Sequence, residues 1–244
     1  MGHTFPLEAR YEDLEFAGDV YRSLVSALLA NGTTTAVYFA TRHLPATKLL
    51  ADTCLGLGQR AVVGRVAMDD ASTCPDFYRD RSAAVAIAET EELIHYIRAL
   101  AGNGDSLVLP AVTPRFIPSC TDELMIGLGD LVAATGVHVQ THCSESDWAH
   151  SFGIDRFGRS DTKTYREMGL LTRRTVLAHA NFIDDDDMEI ISSAGAAVAH
   201  CPLSNVYFAN AVFPLRESLD RGLHIGLGTD ISGGPSASMF NAAR

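Results

Sequence analysis

Basic residues are scarce in this chain. Nineteen Lys and Arg face 30 Asp and Glu, for a formal net charge of −11. Without a basic patch to neutralise phosphates, nucleic acid and acidic membrane surfaces are excluded as main partners. Cysteine is also sparse. The five, Cys54, Cys74, Cys120, Cys143 and Cys201, are odd in number, scattered and free of any CxxC pair. That argues against a disulfide framework and for a reduced, cytoplasmic compartment. No apolar run approaches the ~20 residues that span a bilayer. The first fifteen residues are polar and charged rather than a signal peptide. There is no linker-like stretch, low-complexity run or internal repeat, and no His-x-His occurs anywhere. What is abundant is apolar residues, 47% of 244, enough for a large core and about the size of one (β/α) barrel domain or two small domains.

Short β-branched runs alternate with helical patterns. Helices are expected over 16–30, 44–57, 81–100, 121–135, 160–169, 184–194 and 215–221, on apolar spacing and on stops such as Asn31-Gly32, Gly58 and Gly136. Strands are expected over 33–39 (buried), 60–67, 106–112, 138–141, 176–178, 196–200 and 225–229, and a long polar loop over 146–160. Strands alternating with helices at this spacing imply parallel pairing. The expected fold is therefore α/β: a TIM-type (β/α)8 barrel, incomplete because seven strands are counted where eight close the barrel, with residues 1–244 as one domain.

Polar residues capable of chemistry sit where apolar runs stop. His142 follows Val137-His138-Val139-Gln140-Thr141, His179 follows Thr175-Val176-Leu177-Ala178, and Asp230 follows Leu227-Gly228-Thr229. In a parallel barrel, strand C-terminal ends converge on one face. A single strand-end histidine is as often a core residue satisfied by backbone, and Glu145 alone would be a solvated loop charge. Together, two imidazoles and a carboxylate suit a divalent metal, most often zinc, with Glu145 beside it to move protons. Asp230 is the sharpest case, since an unpaired ion ending an apolar strand is costly. The loop Ile231-Ser232-Gly233-Gly234 would stay slim beside a ligand. Arg115 and Phe116 close another strand, where an Arg fork and an aromatic plane can read a flat ring with an exocyclic oxygen. Cys201 reads as a buried inert thiol and Asp184 to Asp187 as a helix N-terminus. Asp69 and Asp70 follow a strand without further support, and His43, His95, His150 and His224 read as structural or surface groups.

At these residues the chain resembles the amidohydrolase superfamily, its metal-dependent aminohydrolase branch, and the guanine deaminase family within it. The matching stretches are Asn31-Gly32-Thr33-Thr34-Thr35-Ala36, Val112-Thr113-Pro114-Arg115-Phe116, His142-Cys143-Ser144-Glu145, Ala178-His179-Ala180, His200-Cys201-Pro202-Leu203-Ser204-Asn205 and Gly226 through Gly234, ending in Ser238-Met239. The resemblance implies zinc-dependent hydrolysis of guanine to xanthine and ammonia, with one Zn2+ per subunit and a homodimer. It implies His142 and Asp230 as metal ligands, with His179 a further candidate. It implies catalytic roles for Glu145, which protonates a ring nitrogen, for His179, and for Asp230, which takes a proton from water. Arg115 and Phe116 would hold the purine, in a substrate site that also includes His142, Glu145, His179 and Asp230.

The chain departs from the family pattern at the first barrel strand, where a His-x-His pair would supply two more ligands. His3-Thr4-Phe5-Pro6 resembles the segment that follows that strand. The expectation is a barrel truncated at both ends, inactive or nearly so by itself. The alternatives are a related aminohydrolase acting on 8-oxoguanine, a pterin, a triazine or cytosine, and a non-catalytic amidohydrolase-like scaffold. Retention of all four strand-end polar groups speaks against the scaffold.

Overall fold

The computed structural model describes residues 4–104 and 106–244, so His3 of the opening segment lies outside the described residues. The chain divides into two compact units, residues 1–115 with 119–138, and residues 116–118 with 139–244.

The first unit begins with helices α1 (Thr4–Ala9) and α2 (Leu14–Ala30). Asp13 caps α2 by accepting from the Glu15 and Phe16 amides. Strand β1 (Thr35–Phe39), helix α3 (Leu44–Leu57), strand β2 (Arg60–Ala67), helix α4 (Ala83–Arg98), strand β3 (Val108–Pro114) and helix α5 (Asp122–Thr135) follow. β2 pairs in parallel with β1 and with β3. The expected breaks hold: Gly58 and Gly136 end α3 and α5 at φ 74° and 65°, the left-handed region that favours glycine. Thr121 caps α5, and its hydroxyl and amide are themselves held by Asp69 at 2.7 and 2.8 Å, so Asp69 has a structural role.

β1 departs from expectation. It is not buried: only Tyr38 is, and Val37 is 40% exposed. Among the described residues β1 has one partner strand, and the apolar run that reads as a buried strand is here a sheet edge. The core of this unit includes Phe5, Val66, Met68, Cys74 and Tyr78. A fully buried ion pair, Arg65–Asp80, lies beside it, with Glu89 2.7 Å from the same guanidinium.

The second unit carries β4 (His138–Cys143), α6 (Asp147–Phe157), α7 (Asp161–Glu167), β5 (Thr175–His179), α8 (Asp185–Ala194), β6 (Ala197–His200), the short turn α9 (Pro202–Ser204) running into a π-helical turn over Asn205–Ala209, α10 (Leu215–Asp220), β7 (His224–Leu227) and α11 (Met239–Ala243). β4 to β7 pair in chain order, all parallel. Seven strands among the described residues agree with the count from sequence.

Three expectations change here. The region read as a polar loop is largely α6, whose cap is Ser146 accepting from the Ala149 amide and whose stop is Gly158 at φ 66°. These are ordinary helix signals, obscured by a weakly amphipathic sequence between them. β4 runs on through His142 to Cys143, two residues beyond the expected end. β7 stops at Leu227 and is mostly exposed, with Leu227 43% accessible. Asp230 therefore lies past the strand in a half-buried loop, and the cost of ending an apolar strand on an ion is smaller than the pattern implied. Asp184 and Asp187 form a reciprocal capping box on α8, as an acidic helix start requires.

Candidate active site

The second unit gathers His142, Glu145 and His179. The imidazoles of His142 and His179 stack with centroids 5.4 Å apart and planes 20° from parallel. β4 and β5 pair His142 with Ala178 and Cys143 with His179, so adjacent strand ends set the two rings side by side. Glu145 Oε1 lies 3.7 Å from His179 Nε2. His179 is 1% exposed, while the Glu145 side chain is 28% exposed and can meet solvent or a ligand. The Phe116 ring stands at 6.4 Å from His142 and 6.2 Å from Trp148, giving an aromatic edge to the imidazole pair.

Asp230 follows β7, with Gly233 folded over its carboxylate: a Cβ on Gly233 would come within 2.7 Å of Oδ2. Gly234 is equally constrained, because a Cβ there would collide with the Thr229 carbonyl. Cys201, 5% exposed, registers both acids electrostatically. Burial, then the charges of Asp230 and of Glu145, push its thiol up to about 12. Such a thiol is protonated at neutral pH, in agreement with the inert reading of Cys201. His200 is held below the usual imidazole range by burial and then by neighbouring His179.

The backbone is unusual at the same places. Ser144, His179, Ala180 and Asp230 have φ of 42°, 72°, 53° and 49°. Left-handed conformations cost non-glycine residues of order 1–2 kcal/mol each and gather where function over-determines geometry. Two consecutive such residues at the end of β5 place the His179 ring.

Arg115 belongs to the first unit. Its guanidinium makes a bidentate pair with Glu8, at 2.7 and 2.8 Å, and lies 4.8 Å from the centre of the Phe5 ring. Burial acts to lower its pKa, and the Glu8 hydrogen bonds and charge outweigh it, so the group stays charged. Its aromatic neighbour is thus Phe5, with Phe116 packed instead against His142 and Trp148. Glu8 and Phe5 were not singled out as site candidates because they lie over a hundred residues away from Arg115 along the chain, and no spacing signal joins the two segments. Trp148 was missed with α6. Asn181 and Asn205, which support His179, stood in quoted motif stretches or next to them, but amides carry no distinctive spacing signal.

The donor types fit a zinc ion: borderline imidazole nitrogens with hard carboxylate oxygens. Among the described residues, however, no group of three or more His, Cys, Asp or Glu is arranged to hold a metal.

The amidohydrolase family model matches residues 1–244, and the chain belongs to the amidohydrolase family. A guanine deaminase of Dictyostelium discoideum is 40% identical over 248 residues, covering 99% of this chain and 53% of that protein. The human guanine deaminase is 38% identical over 244 residues, with 99% and 53% coverage. Among solved structures, the C. acetobutylicum guanine deaminase with guanine bound in its active site superposes with a TM-score of 0.92 at 32% identity, over 98% of this chain and 56% of that one. The chain thus has the family's TIM-barrel fold in incomplete form, and it spans about half the length of the curated relatives it matches. No helix among the described residues is long and apolar enough to cross a membrane.

Proposed function

We propose that the protein bearing this chain is a zinc-dependent guanine deaminase that converts guanine and water to xanthine and ammonia. In this reading residues 1–244 form one amidohydrolase-like barrel domain of a cytoplasmic homodimer. The carrying observation is the Glu145–His179–His142 cluster, with one carboxylate 3.7 Å from a buried imidazole and a second imidazole stacked on the first. Similarity along the whole chain to a structure that holds guanine supports that choice of substrate.

His142 and Asp230 are the proposed ligands of one zinc per subunit, with His179 a further candidate. Held there, the ion would supply Lewis acidity that eases loss of a proton from water near neutral pH. The chain's own groups do the rest. Glu145, partly exposed beside His179, delivers a proton to a ring nitrogen and assists departure of ammonia from the ring carbon that carries the exocyclic amino group. Asp230 accepts the proton that water loses and passes it to the departing amino group, which leaves as ammonia, while the added hydroxyl returns a proton to Glu145 as the oxo group forms. His179, fixed by burial, orients the polar atoms between itself and Glu145. Phe116 offers a ring edge to the purine face, and Arg115, aligned by Glu8, meets the purine oxo group.

The test compares guanine, 8-oxoguanine, a pterin, a triazine and cytosine as substrates of the zinc-loaded protein, by ultraviolet absorbance and ammonia release. Guanine is expected to have the highest kcat/KM. Glu145→Gln should lower kcat by roughly 10²–10⁴ with guanine still bound. Faster turnover of another ring, or an unaffected Glu145→Gln variant, would overturn the reading.

A further inference from the structure

The geometry points to Asn205 and Asn181 as positioning residues that fix the tautomer of His179. Three buried side chains form a line of hydrogen bonds. The Asn181 amide nitrogen donates to the Glu145 backbone carbonyl at 2.8 Å. The Asn205 amide nitrogen donates to Asn181 Oδ1 at 2.6 Å. His179 Nδ1 lies 2.8 Å from Asn205 Oδ1. Asn181, Asn205 and His179 are 6%, 1% and 1% exposed, so water cannot substitute for a missing partner.

The direction of this line has one solution. A backbone carbonyl only accepts, so Asn181 must present its NH2 to Glu145. That turns Asn181 Oδ1 toward Asn205, which must present its own NH2. Asn205 Oδ1 is then left facing His179, and an amide oxygen only accepts. Nδ1 of His179 therefore carries the hydrogen. A neutral imidazole has one N–H, so Nε2 carries a lone pair, on the side facing Glu145. Reversing any link would set carbonyl oxygen against carbonyl oxygen, or N–H against N–H, in a buried site.

The line spans three strand ends. Glu145 follows β4, His179 closes β5, and Asn205 sits beyond β6 where α9 gives way to the π-helical turn. The Asn181 backbone N–H also donates to the Ser144 carbonyl at 3.2 Å, beside two residues of left-handed backbone, Ser144 and Ala180. His179 is thereby an acceptor toward its ligand. In the neutral ring Nε2 can receive a hydrogen from water or an amino group and has none to donate to Glu145. The use of that lone pair in deamination rests on the proposed function. The tautomer does not, and it is read without substrate.

The experiment is a long-range 1H–15N correlation of the histidine rings in the isotopically labelled chain, at a pH where imidazole is neutral, with His179 assigned by loss of its signals in His179→Gln. The expected pattern is a pyrrole-type Nδ1 and a pyridine-type Nε2. Asn205→Leu should convert it to a mixed or reversed pattern. Asn181→Ala, which frees the Asn205 amide to turn, should also lose the single tautomer and decides the matter if the leucine variant does not fold. An Nε2–H form in the unsubstituted chain, or a pattern unmoved by Asn205→Leu or Asn181→Ala, overturns the inference. Either result leaves guanine turnover to be judged separately.

Discussion

Asp161 is 2% exposed, and substituting it should change the pH dependence of stability. Its Oδ2 accepts the Ser144 amide at 2.7 Å, while Oδ1 has no partner and sits against Gly153. Burial raises its pKa from 3.8 to about 7, opposed by the Ser144 hydrogen bonds and aided by the nearby Asp187 charge. In the unfolded chain the same carboxyl titrates near its ordinary value of about 4. Between those values the folded chain holds one proton more than the unfolded chain. Stability therefore falls as pH rises, by ~1.4 kcal/mol per unit, and levels off above the folded pKa. Over about three units the loss reaches ~4 kcal/mol. Asp161→Asn keeps an oxygen for the Ser144 amide and cannot ionise, so this part of the slope should vanish. Urea unfolding of both proteins from about pH 5 to about pH 8 measures the difference. It should widen in favour of asparagine by a few kcal/mol as pH rises. Parallel curves, or a difference that narrows with pH, would refute the burial argument.

Other perturbations have equally definite outcomes. Asp80→Ala strands the fully buried Arg65 guanidinium with only Glu89 as partner and should cost roughly 3–5 kcal/mol in urea unfolding. A cost under about 1 kcal/mol would place the pair in solvent. Gly234→Ala drives a Cβ into the Thr229 carbonyl beside Asp230 and should reduce guanine turnover far more than it reduces chain stability. Arg115→Lys loses the fork held by Glu8 and should weaken guanine binding about tenfold to a hundredfold, seen in KM more than kcat. Because no three-donor group is gathered among the described residues, the 244-residue chain by itself should lose zinc on gel filtration in metal-free buffer, and stoichiometric retention would contradict that.

Much of the fold was legible because its signals are local. α3 and β2 were bounded to the residue by a glycine stop and by a β-branched run. Strand ends marked His142 and His179 as neighbours, and pairing of β4 with β5 sets them together. The sequence read poorly where the deciding facts are tertiary. β1 and the buried strands share one composition, and the absence of a second described partner decides its exposure. α6 was hidden because its apolar face is weak, and Trp148 was lost with it. The Glu8–Arg115 pair and the Asn181–Asn205 line join residues 107 and 24 positions apart, which no periodicity reveals. Asp230 follows an apolar run in the sequence, but its surroundings are wetter than that run suggested.

The most direct test measures bound zinc and guanine loss in one sample of the purified protein bearing this chain, beside its Glu145→Gln variant. Zinc near one per subunit with stoichiometric xanthine and ammonia, lost in the variant with zinc retained, is the predicted result. Zinc bound in full with no consumption of guanine would contradict the assignment of this site to guanine deamination.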